Sequence, residues 1–73
     1  QWKEAVTAFE KVVVLAPKRT KPYLFLSSIY ADQKDYKRAI KTLKSLLREH
    51  PDSLMGNFYL GKIYIQIDMF REA

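Results

Sequence analysis

His50 is the only histidine in the chain and no cysteine accompanies it, whereas a zinc site normally gathers three or four nitrogen, sulfur or carboxylate ligands. Glu49, His50 and Asp52 flank Pro51, and that cluster reads as a helix end with a capping carboxylate. Ser27 and Ser28 have no base at a spacing that would draw a proton from a hydroxyl. These residues supply no catalytic group, no metal ligand set and no cofactor motif, so the chain reads as a protein that is not an enzyme. Charge offers chemistry of another kind. Lys34, Lys37, Arg38, Lys41, Lys44 and Arg48 recur every three or four residues, which gathers them on one arc of a helix. Such an arc can meet phosphates or carboxylates, but no aromatic side chains are interleaved for base stacking, and Asp35 and Glu49 flank it. It reads first as a solvated face, with a nucleic-acid-binding surface on the basic helix 34–48 as the alternative.

The elements that carry these residues follow from apolar spacing and proline punctuation. Trp2, Ala5, Val6, Phe9, Val12, Val13 and Ala16 fall on one face of a helix from Trp2 to about Ala16. Pro17 ends it, because proline lacks an N–H and disfavours helical backbone in the residue before it. Pro22 suits the first turn of a second helix, with Thr20 or Lys21 ahead of it as cap. That helix is expected to run to about Asp32 and is apolar on more than one side. Asp35 caps a third, Asp35 to Glu49, in which Tyr36, Ala39, Ile40, Leu43, Leu46 and Leu47 oppose the cations. Asp52 or Ser53 caps a fourth from Leu54 to about Ile67. A turn is expected at Asp68, and Met69 to Ala73 would begin a fifth.

With 73 residues and a formal charge of +5, the chain is one small unit. A body of this size buries only about 60% of its unfolded surface, so every apolar face must be used. It has no run of about 18 apolar residues to span a membrane. The lack of cysteine leaves its compartment open.

Set against itself at an offset of 34 residues, the chain repeats. Trp2, Tyr36 and Phe70 coincide, as do Ala5, Ala39 and Ala73; Phe9 meets Leu43, Val12 meets Leu46, Pro17 meets Pro51, Leu26 meets Leu60 and Tyr30 meets Tyr64. Aromatic on aromatic and proline on proline at one period is the mark of stacked repeats. These residues resemble the tetratricopeptide repeat, whose pattern W-x2-L-G-x2-Y, A-x3-F, P spans an antiparallel pair of helices, A and B. Tyr23, Leu26, Ser27, Tyr30, Ala39, Leu43 and Pro51 form the central repeat; Asn57, Leu60, Gly61, Tyr64 and Ala73 form the next, and Ala5, Phe9 and Pro17 belong to the one before. Tyr23 and Asn57 depart from the expected Trp and Ser27 from one Gly, while Lys34 and Asp68 stand in a turn where the family often has Gly.

The resemblance implies an all-α fold of antiparallel helix pairs stacked as a right-handed α-solenoid. It divides the chain into the B helix of a truncated repeat (1–17), a complete repeat (20–53), and an A helix with the start of its B helix (54–73), a slice of a longer array. It further implies a protein-protein interaction scaffold that binds a partner peptide or helix with apolar side chains on the concave face of the A helices. Leu24, Phe25, Ser28 and Asp32 on one A helix, with Phe58, Tyr59, Lys62 and Gln66 on the next, are the candidate partner-binding residues. A clamp for a C-terminal carboxylate is not expected, because apolar residues hold its places and only Lys21 and Lys62 remain as donors. Apolar surface at the two ends also allows a homodimer or larger homo-oligomer through exposed repeat ends.

Overall fold

Proline, a left-handed lysine and two side-chain caps divide the chain into helices. The computed structural model describes residues 2–72, with side chains through Met69. Its elements are α1 (Trp2–Leu15), α2 (Lys21–Asp32), α3 (Tyr36–Glu49) and α4 (Leu54–Glu72), with no strand among the described residues. Short turns between them make successive helices antiparallel neighbours.

Each boundary has a local cause. α1 closes with the Ala16 N–H on the Val12 carbonyl at 2.7 Å, one residue ahead of Pro17. Pro22 sits in the first turn of α2 behind Thr20, whose side chain makes no capping bond. α2 ends on Lys34 at φ 63°. Around it the Lys34 N–H reaches the Ala31 carbonyl at 2.9 Å and the Asp35 N–H reaches that of Tyr30 at 2.8 Å, the bond pair that commonly seals a helix on a left-handed residue. A side chain in that conformation costs about 1–2 kcal/mol, a cost that a glycine in this turn would avoid. Asp35 then caps α3 by accepting from the Arg38 N–H at 3.3 Å. At α4 the cap is Ser53, whose Oγ accepts from the Gly56 N–H at 3.0 Å.

The helices enclose a narrow seam. Tyr23, Leu26 and Tyr30 of α2, Ala39, Leu43 and Leu46 of α3, and Ile63 of α4 are buried, with Val6, Phe9 and Val13 of α1 packed against them. α2 meets α1 on one side and α3 on the other, and α3 continues onto α4. Ser27 is fully buried with its hydroxyl donating to the Leu24 carbonyl at 2.9 Å, which keeps a small residue facing its neighbours without a stranded polar group. The Cα body measures 39 × 31 × 14 Å. A Cα depth of 14 Å is that of two helix layers packed face to face, so the core is a single seam of side chains between them with no further layer to share a loss.

Two expectations are corrected. The turn at Asp68 and a fifth helix from Met69 are absent among the described residues, since α4 runs unbroken to Glu72. A new helix of about one turn has to be nucleated for a single hydrogen bond, while extending an existing helix adds a bond per residue. Phe70, whose side chain lies outside the described residues, and Ala73, wholly outside them, cannot show their repeat roles. The second correction concerns glycine. Gly61 holds the repeat's glycine place, which the family pattern implies is a close approach of paired helices, yet a Cβ there would meet nothing within 4 Å; at Gly56 it would lie 3.0 Å from Leu46 Cδ2 and 3.1 Å from Leu47 Cδ2. The close crossing is α4 on α3, and it is Gly56 that permits it.

Candidate functional site

A helix turns by about 100° per residue, so α2 has two opposed working faces. Tyr23, Leu26 and Tyr30 fall together and point into the seam. Phe25, Ser28 and Asp32 fall on the other side, towards the surface shared with α4. There a cleft of about 80 Å³ opens between the two helices, lined by Ser28 and Asp32 from α2 and by Tyr59, Lys62 and Gln66 from α4. Ser27, Ala31 and Ile63 close its floor. Spaces that enclose a small molecule begin at about 300 Å³, so this one admits the tip of a side chain and no more.

The cleft gathers five of the eight sequence-derived positions. Phe58 joins its rim: it is 59% exposed, its ring lies 6.2 Å from that of Tyr59, and the Lys62 ammonium sits 5.7 Å from its centre and 5.4 Å from that of Tyr59. A cation shared between two rings is held by about 0.5–1 kcal/mol at an exposed site. Asp32 brings the opposite charge to the same cleft. Phe25, 53% exposed, leans on Phe9 of α1 at 5.6 Å between ring centres. Leu24 is half-buried against the core and offers the least. Sequence periodicity did not reveal the Phe9 contact, because Phe9 had been absorbed as a core landmark.

Elsewhere the polar groups serve the fold. His50 places Nε2 3.1 Å from the Pro17 carbonyl, a strut between two proline turns when that nitrogen carries the proton. Among the described residues no three His, Asp or Glu side chains gather as a metal would require. The Tyr30 hydroxyl donates to Glu10 Oε2; burial first, then this bond and the Glu10 charge, push its pKa up to about 12. Burial, with Glu49 next, also raises Tyr23, whose hydroxyl lies 3.5 Å from the Val13 carbonyl.

Two further surfaces remain. On α3, Lys37, Arg38, Lys41, Lys44 and Arg48 border an open trough of about 830 Å³. On α4, Asn57 and Tyr64 are exposed and the space beyond Gly61 is open, although their counterparts Tyr23, Ser27 and Tyr30 are buried. No helix among the described residues is long and apolar enough to cross a membrane. In comparison with known proteins, a family model for the tetratricopeptide repeat matches residues 1–59. No curated protein and no solved structure matches the chain.

Proposed function

Since the chain belongs to the tetratricopeptide repeat family, whose repeats are generally protein–protein interaction modules, we propose that it binds a peptide or helical segment of a partner along α2 and α4. The observation that carries this reading is a pair of exposed rings, Phe58 beside Tyr59 of the cleft and Phe25 one turn before Ser28 on the same side of α2, with a cleft too small for a free ligand. Exposed rings beside polar groups of both signs suit an apolar side chain of the partner, flanked by backbone or charged groups that pair with Asp32 and Lys62. No bond is made or broken. Peptides selected from a random display library on the wild-type chain are expected to carry apolar anchors and to lose about tenfold or more in affinity for Phe25→Asp combined with Phe58→Asp. Both side chains are more than half exposed; an unchanged helical circular dichroism spectrum checks that losing the Phe25–Phe9 contact leaves the fold intact. Peptides that ignore the pair but respond to Lys37→Glu, Lys41→Glu and Lys44→Glu would move the site to α3.

A second reading, self-association, has its own observation. Tyr64 is 44% exposed beside the open space at Gly61, where the matching face of α2 is covered by α3. A helix of a second copy could cover it end to end. Sedimentation showing only monomer at high concentration would remove this reading and leave the first intact.

A further inference from the structure

α1 and α3 both pack on α2, yet no Cα of one comes within 8 Å of the other. Between them runs a groove of about 430 Å³, floored by the seam face of α2 at Tyr23, Leu26 and Tyr30. This is the side of α2 opposite the cleft with α4. Its two banks differ in chemistry. The α1 bank is mostly apolar: Val13 and Val14 line it beside Glu10, and Val14 is 76% exposed.

The α3 bank is cationic. Arg38 and Lys41 line the groove, and Lys44 and Arg48 continue the row along the adjoining trough. From Lys37 to Arg48 the stripe runs about 16 Å at the rise of an α-helix. Two carboxylates stand nearby: Glu10, on the α1 bank, accepts from the neutral Tyr30 hydroxyl and keeps its charge, and Asp35 lies 3.6 Å from Arg38 Nε. Lys41, Lys44 and Arg48 are exposed, with no carboxylate of the described residues in salt-bridge reach. The charge demanded of an occupant along the α3 bank is therefore negative, and its apolar groups belong on the opposite bank, over Val13 and Val14.

We propose that the groove between α1 and α3 is a second docking site, which takes an acidic amphipathic segment of a partner protein. Its apolar side chains lie over Val13 and Val14, and its carboxylates face Lys41, Lys44 and Arg48. A nucleic acid would use the cations but gain nothing from the aliphatic bank, and no exposed ring stands among the lysines to stack a base. The site is independent of the α2–α4 surface, so two segments can be held on opposite faces of one helix.

The test is an NMR titration of the isotopically labelled chain with a synthetic peptide that alternates Leu and Glu at helical spacing. Three comparators are used: the same peptide with Lys for Glu, the same with Ser for Leu, and an oligothymidine strand. Saturable shifts are expected at Val13, Val14, Lys41 and Thr42. Affinity should fall about tenfold or more for Lys41→Glu with Lys44→Glu, and also for Val14→Asp, all exposed positions that leave the helical spectrum unchanged. It should stay as in wild type for Phe25→Asp with Phe58→Asp, which separates this site from the α2–α4 surface. Any of three results overturns the proposal: no saturable shift at millimolar Leu/Glu peptide, shifts confined to α2 and α4, or equal binding of the Ser-for-Leu peptide or oligothymidine, which would make the row a nonspecific anion trap.

Discussion

Leu43→Ala is expected to remove most of the stability of this chain. Leu43 is fully buried in α3, between the α2 face at Leu26 and Tyr30 and the rest of the seam. Truncating a leucine in such a place costs about 2–5 kcal/mol, the lost transfer energy plus the cavity left behind. At about 0.05–0.15 kcal/mol per residue, a 73-residue chain holds about 4–11 kcal/mol in all. The thin body gives the loss nowhere to spread: with a 14 Å short axis, no second layer of side chains can close the hole. Urea unfolding followed by helical circular dichroism should show the midpoint collapse for Leu43→Ala and stay within about 0.5 kcal/mol of wild type for Leu15→Ala, which removes an exposed side chain. A loss below about 1 kcal/mol at Leu43 would mean that the helices do not depend on a common seam, and the repeat packing described here would be wrong.

Much of this seam could be read from residue spacing. In α3 the alternation of Ala39, Leu43 and Leu46 with Lys37, Lys41 and Lys44 assigns each side chain to core or solvent, and the structure agrees at every one of them. Proline at 17, 22 and 51 and the cap at Asp35 set boundaries to within a residue or two, because backbone chemistry acts locally. The misreadings share a cause. Aligning Gly61 with Ser27 transfers a role that exists only where a facing helix is present, and beyond Gly61 the space is open. Gly56 aligns with Pro22, so the period concealed the glycine that α3 does press upon. The turn at Asp68 was transferred from Lys34 in the same way. The separation of α1 and α3 had no sequence signal, since it is set by how both helices cross α2 and not by either helix alone. Of the candidate site, periodicity brought Ser28, Asp32, Tyr59, Lys62 and Gln66 to one cleft, but could not foresee that Lys62 would rest over two rings or that Leu24 would turn inward.

Alkaline titration of Tyr30 gives the second large effect. In the folded chain its phenol is pushed from 10 up to about 12 by burial and by the bond to Glu10. The neutral phenol is thus favoured by folding: the unfolded chain loses this proton first, near pH 10, and the folded chain near pH 12. The stabilisation is whole below pH 10, falls as the pH rises between the two values, and is gone above the folded one. Two units correspond to about 2.7 kcal/mol. The hydroxyl, however, meets an exposed carboxylate at the protein rim, where water screens the charge, so about 1–2 kcal/mol is the realistic size. Tyr23, shifted in the same direction, adds to the slope. Tyr30→Phe removes the titration together with the hydrogen bond to Glu10, and is expected to be less stable than wild type by about 1 kcal/mol at pH 8. The gap should close, and can reverse, by pH 12, because ionisation then burdens wild type alone. Lysine deprotonation in the same range is common to both proteins and cancels in the difference. Urea midpoints at intervals from pH 8 to pH 12 measure the gap directly. Parallel curves for the two proteins would mean that Tyr30 titrates no later when folded than when unfolded, and that the α1–α2 contact through Glu10 does not form in solution.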